Sequence, residues 1–205
     1  MNFGFNSEDY DDVGMVEDKK GWREVELSDA EYELIKYKTD ETFTLSNVDY
    51  LDLNEYMIVV KEGKRQAGMI YRHLGKGEYI VLDKKKHLCG IVPRNLEQIA
   101  LADALSNDDI PLVTSVAVAG SGKSLLAIAA AMNKVMNEKK YRKIIITRPI
   151  MPIGRDLGYL PGDVDEKMAE WIRPFMDNID YIKSLNYDAG KRKVAITKVD
   201  ALLDK

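Results

Sequence analysis

The chain has 205 residues, 45% of them hydrophobic and 31% charged, with a formal net charge of −4. This is the composition of a folded globular protein, not of a collagen-like or wholly disordered one. Its acidic balance gives no whole-chain support for binding nucleic acid or an acidic membrane. One cysteine, Cys89, rules out an intrachain disulfide, and with only two histidines, His73 and His87, the ligand supply for a structural zinc site is thin.

No apolar run is long enough to span a bilayer. Met1–Phe5 has neither the basic nor the apolar part of a secretion signal, so the expectation is a reducing, cytoplasmic compartment. Residues 1–25 read as an acidic flexible tail, with Glu8, Asp9, Asp11, Asp12, Glu17 and Asp18 set among Gly, Asn and Ser. Residues 26–88 read as a small α+β module. Ser28-Asp29-Ala30-Glu31 is a capping box before Tyr32, Leu34 and Ile35, so a short helix is expected to start there. Residues 42–82 read as a β-meander, with strand-like runs over 55–60, 67–71 and 79–82 and turns at Glu62-Gly63-Lys64 and Leu74-Gly75-Lys76-Gly77.

Residues 89–205 read differently. A helix is expected over 95–106, a buried strand over Pro111–Val118, a second helix near 123–138 and an apolar strand over Lys143–Thr147. Strand, helix, strand at this spacing implies a βαβ unit and a parallel sheet. The fold class is therefore α/β, a partial parallel sheet with flanking helices preceded by a small antiparallel β-module.

Between the first strand and its helix lies Ala117-Val118-Ala119-Gly120-Ser121-Gly122-Lys123-Ser124. It matches the P-loop, with Ala at the position where Gly is usual. Gly120 and Gly122 let the backbone turn its N–H groups towards phosphate oxygens. Lys123 neutralises the β and γ phosphates, the Ser124 hydroxyl reaches Mg²⁺, and the N-terminal end of the helix adds partial positive charge. A methyl at Ala117 weakens the loop if that residue needs a positive φ. Arg148, in Thr147-Arg148-Pro149, falls at the carboxyl end of the next strand, the edge where open α/β sheets bind ligands. It reads either as a contact to phosphate or nucleic acid or as a surface arginine. Trp171, Tyr159 and Phe175 are aromatics that either stack on bases or pack the core.

Taken together, Gly90-Ile91-Val92-Pro93-Arg94-Asn95-Leu96-Glu97-Gln98, the P-loop, Ile146–Ile150, Gly154–Gly162 and Glu166-Lys167-Met168 through Trp171, Pro174 and Asp177-Asn178 resemble the ATPase domain of PhoH-like proteins. The resemblance implies a helicase-like P-loop core, ATP with Mg²⁺ as cofactor, ATP hydrolysis and a role in RNA metabolism. By position it implies adenine reading by Asn95 and Gln98, and phosphate and metal binding by Ala119, Gly120, Ser121, Gly122, Lys123 and Ser124. Lys123 and Arg148 are the residues expected to act in catalysis, and Ser124 the one expected to hold the metal.

Relatives continue to an apolar strand ending Asp-Glu, the Walker B motif. Here the nearest candidate, Val194–Asp200, is interrupted by polar residues. The expectation is a chain truncated before Walker B that binds Mg-ATP and hydrolyses it poorly alone, with the carboxylate coming from a homo-oligomer or a second chain. The alternative is a non-enzymatic interaction protein that modulates a full-length ATPase or another partner. RNA binding through Arg148 and the loop at 154–163 is a third reading.

Overall fold

The computed structural model describes residues 20–38, 42–48, 50–83, 86–147 and 164–188, the last with side chains over 172–185. The chain divides into two compact units, Met1–Leu82 and Asp83–Lys205. The class is α/β, as the sequence predicts.

In the first unit, β1 (Trp22–Glu26), α1 (Asp29–Ile35), β2 (Thr42–Thr44), β3 (Tyr56–Lys61), β4 (Lys64–Gly75) and β5 (Glu78–Val81) build a mixed five-stranded sheet in the order β1-β3-β4-β5-β2. β1 runs parallel to β3 and every other pairing is antiparallel. The three strand-like runs expected within the meander at 42–82 are β3, β4 and β5. Its two turns are tight because Glu62 and Gly63, then Lys76 and Gly77, all take positive φ, the twist that suits a hairpin. The capping box is present: Glu31 N–H reaches Ser28 Oγ, and the Glu31 carboxylate accepts from the Ser28 N–H at 3.0 Å.

The sheet gains two strands that the sequence reading did not predict. Trp22–Val25, assigned by sequence to the acidic tail, belong to β1. Only Val25 of that strand is buried, and an edge strand with one wet face carries charges at most positions. β2 has three residues, too few for alternation to register.

The core of this unit gathers Val25, Ile35, Phe43, Met57, Val59, Tyr71 and Tyr79. Phe43 meets Tyr71 edge-on at 5.0 Å and stacks on Tyr79 at 5.7 Å. Ile58 and Ile70, paired across β3 and β4 on the alternate positions, are also fully buried. Two buried polar side chains tie down the segment before β3. Glu55 accepts from Arg23 Nε at 3.1 Å and from the Asp52 N–H at 2.8 Å. His73 accepts from the Gly77 N–H through Nε2 at 3.2 Å. Its Nδ1 therefore carries the hydrogen and donates to the Asp52 carbonyl at 3.1 Å.

The regular elements of the second unit are helices: α2 (Leu96–Ser106), α3 (Lys123–Met132) running into a π-helical turn (Asn133–Asn137), and α4 (Val164–Asp188). The helices expected over 95–106 and 123–138 are thus present. α4 was not predicted; Pro174 stands inside it and removes one backbone donor. Leu88, Cys89, Ala102, Leu126, Ala129, Ile179 and Ile182 form the centre of the unit. Phe175 packs against that cluster, so the core reading of this aromatic holds. Tyr159 and the Trp171 side chain lie outside the described residues.

The segments expected as buried parallel strands, 111–118 and 143–147, carry no ladder among the described residues. Leu112, Val118 and Ile145 are exposed, and Val116 is 97% exposed. A parallel strand is buried only when neighbouring strands and helices cover both faces. Apolar content gives a segment the capacity for burial, and no described neighbour supplies the cover.

After α2, Asp108 accepts from Lys134 at 2.8 Å and pairs with Lys140. These two ammonium groups, Lys134 first, hold its carboxyl down from an ordinary 3.8 to about 2. A carboxylate with a depressed native pKa stabilises the fold above its unfolded pKa and loses that effect as pH falls through the native value. Asp108→Asn is therefore expected to lower stability at neutral pH, with the gap to the parent chain closing between pH 3.8 and about 2 in thermal melts taken across that range. In the first unit, Ile58→Ala is expected to cost about 2–4 kcal/mol. Ser28→Ala, which removes only the cap, should cost about 1 kcal/mol, and urea titrations of the two variants check the order.

Candidate functional site

The site grows from two adjacent turns in the second unit. The first is Leu88–Ile91. Leu88 and Ile91 exchange backbone hydrogen bonds at 3.0 and 2.9 Å. Cys89 and Gly90 between them both take positive φ, as a two-residue turn of this type requires. The chain then passes through Val92-Pro93-Arg94 to Asn95, which caps α2. Asn95 Oδ1 accepts from the Gln98 N–H at 2.8 Å. Asn95, expected by resemblance to read adenine, is placed here as a helix N-cap.

The second turn is the P-loop. Gly120 and Gly122 take φ of +77° and +86°, values that L side chains rarely adopt. A Cβ at Gly120 would meet nothing within 4 Å, so the loop opens onto free space there. A Cβ at Gly122 would sit 3.2 Å from Gln98 Nε2. Gly122 is also the N-cap of α3 and offers no side-chain cap. The first-turn N–H groups of α3 thus lack a capping side chain. Ala117 is not among the described residues with positive φ, so its methyl adds no backbone strain.

Gln98 joins the segment that follows the first turn to the P-loop. Its Oε1 accepts from the Arg94 N–H at 2.8 Å, and its Nε2 donates to the Ser121 carbonyl at 3.1 Å. Both ends of the amide are engaged with backbone. Lys123 curls over the loop, donating to the carbonyls of Ala117 at 2.7 Å and Val118 at 2.9 Å and to Ser121 Oγ at 3.3 Å. Its ammonium is thereby held at the mouth of the turn. Ser124 follows, exposed, in the first turn of α3, and Ala119 is exposed in the loop.

In front of the two turns lies a cleft of about 480 Å³, within the range of small-molecule sites. Gly120, Gly122 and Gln98 line it, as do Ile91, Tyr181 and Leu185. Tyr181 and Leu185 come from α4, the helix that sequence reasoning missed. The apolar spacing of Ile179, Ile182 and Leu185 was the signal that could have found it. Concave N–H groups at a helix start, a lysine above them and a hydroxyl beside them can bind a polyphosphate and its metal.

Arg148, the loop at 154–163 and the Walker B candidate Asp200 lie outside the described residues. Among the described residues, no group of three His, Cys, Asp or Glu side chains could hold a metal. Cys89 is a buried thiol contacted by Asn137 Nδ2 at 3.6 Å, and burial raises its pKa. No helix among the described residues is long and apolar enough to cross a membrane.

Residues 90–202 match the PhoH family, described as PhoH-like protein. The chain belongs to the PhoH-like family. PhoH2 of Bacillus subtilis is 42% identical over 121 residues, 57% of this chain and 27% of that protein. PhoH2 of Mycolicibacterium smegmatis is 34% identical over 100 residues, 48% of this chain and 23% of its own length. A PhoH-like protein of Mycobacterium tuberculosis is 32% identical over 136 residues, 61% of this chain and 38% of the relative. The chain thus spans between 23% and 38% of the length of these relatives. No solved structure matches it.

The close approach at Gly122 has a measurable consequence. Gly122→Ala is expected to destabilise the second unit by about 1 kcal/mol or more, from backbone strain alone, and more than Gly120→Ala because it also crowds Gln98. Adding Gln98→Ala should recover part of the difference. Hydrogen-exchange protection in α3 across the three variants is the measurement.

Proposed function

We propose that this PhoH-like chain binds ATP with Mg²⁺ through the turn at 117–124. The observation that carries this reading is the P-loop backbone itself. Two positive-φ glycines and the uncapped start of α3 form a concave set of donors, with the Lys123 ammonium drawn over it. Phosphate oxygens would replace the neutral carbonyls on Lys123 with charged acceptors, a stronger partnership. The Ser124 hydroxyl would hold Mg²⁺, and that ion would supply charge neutralisation between the phosphates. Membership of the PhoH-like family supports the assignment.

Hydrolysis needs a carboxylate to complete the metal's ligands and to orient the attacking water. We propose that it is furnished by a homo-oligomer or a second chain, so that the isolated chain turns over slowly. The reading also places the protein in a reducing cytoplasm, where Cys89 stays a thiol. A second reading, a non-enzymatic partner of a full-length ATPase, draws support from the exposed apolar residues Leu112, Val116, Val118 and Ile145.

Titration with a fluorescent ATP analogue and Mg²⁺ tests the first reading. Saturable binding is expected, with a loss of 10-fold or more in Lys123→Ala, in line with the roughly 1.5–3 kcal/mol of a charge-assisted bond. Binding unchanged in Lys123→Ala would overturn it. Robust turnover by the isolated chain, abolished by Lys123→Ala, would remove the need for a second chain.

A further inference from the structure

The lining of the cleft at the P-loop is of two chemical kinds. Gly120, Gly122, the Gln98 amide and Arg94 are its polar part. Ile91, Val92, Leu125 and Leu185, with Tyr181 beside them in the lining, are its apolar part. A polyphosphate satisfies the polar groups and has no use for the apolar ones.

Tyr181 is placed firmly. Its helix is anchored by Ile179 and Ile182, both buried in the core of the unit. Tyr181 itself is 48% exposed, so its ring presents surface to the cleft. Among the described residues, no aromatic ring or cation lies against it. An aromatic side chain in a cleft lined by aliphatic groups offers one large flat face to a ligand.

Gln98, the residue that resemblance nominates to read adenine, is occupied. Its Oε1 holds the Arg94 N–H and its Nε2 holds the Ser121 carbonyl. Reading a base edge would break both bonds and release the P-loop from the start of α2. Stacking on Tyr181 breaks nothing.

We propose that Tyr181 is the stacking platform for the base of the nucleotide whose phosphates occupy the P-loop. This rests on the nucleotide reading above and extends it. Recognition then falls on the π-face of the base and not on its hydrogen-bonding edge. Every base has a π-face, so the site accepts purine nucleotides with little preference between ATP and GTP.

The test compares two ligands that share phosphates and differ in the base. The full chain and its Tyr181→Ala, Tyr181→Phe and Lys123→Ala variants are titrated calorimetrically with Mg-ATP and with magnesium tripolyphosphate, after circular dichroism has shown that each variant keeps its helices. Tyr181→Ala is expected to weaken ATP by roughly 5- to 100-fold, the range for loss of one base stack. Tripolyphosphate should stay within about twofold, since no phosphate contact is removed. Tyr181→Phe should restore ATP binding, and Lys123→Ala should weaken both ligands.

Equal weakening of both ligands by Tyr181→Ala would mean that the residue only supports the cleft, and would overturn the proposal. Unchanged ATP affinity in Tyr181→Ala, or parent-chain ATP binding no tighter than tripolyphosphate, would overturn it as well. Each of these outcomes leaves the P-loop reading standing. Failure of the parent chain to bind either ligand would instead overturn the P-loop reading, and this proposal with it.

Discussion

The candidate site depends on one side-chain amide. Gln98 ties Arg94, in the segment that leads into α2, to Ser121, in the turn that precedes α3. Without it, the floor of the cleft and the P-loop would be two loops, each free to move on its own helix. Asn95 is part of the same arrangement, because its bond to the Gln98 N–H sets where the helix begins and so where Gln98 projects. Charge plays little part in this linkage. Neutral hydrogen bonds to backbone fix the geometry, and each contributes about 1 kcal/mol net. Their value lies in direction: two bonds at opposite ends of a planar amide leave it one orientation.

The first unit uses the same device at a different place. Glu55 and His73 are buried polar residues of that unit, and both hold the backbone of Asp52. Hydrophobic burial around Phe43, Tyr71 and Tyr79 supplies most of the driving force there. The polar groups decide which loop conformation that core carries. In both units, buried or half-buried polar side chains are spent on turns, whose backbone groups have no ladder or helix to satisfy them.

Much of this was legible in the sequence because it is encoded locally. The capping box at Ser28, the Gly turns at 63 and 77 and the P-loop glycines each specify a backbone conformation within a few residues. The family followed from several such stretches read together. What was not legible depends on distant partners. β1 looks like a charged tail until β3 lies beside it. The segments 111–118 and 143–147 look like buried strands, yet apolar composition cannot reveal whether a neighbour covers them. Asn95 and Gln98 were singled out by resemblance, as readers of a base edge. Their bonds to backbone could not be read from spacing alone, since an amide four residues from Arg94 fits a solvent-facing helix position equally well. Tyr181 was not singled out because no helix was expected over 164–188, although Ile179, Ile182 and Leu185 stand at helical spacing.

The first turn of the site also carries the chain's one cysteine. Cys89 stands at the tip of the tight turn with a φ of +47°, is 5% exposed, and has a thiol that burial keeps protonated. Thiolate chemistry needs both ionisation and access. The closed turn denies both, so an alkylating reagent can reach this sulfur only in the interval when the turn has opened. With a single thiol in the chain, no other site competes for the reagent. The rate of its modification is therefore a stopwatch on how often the base of the cleft comes apart, readable by mass from one atom with no label added to the protein.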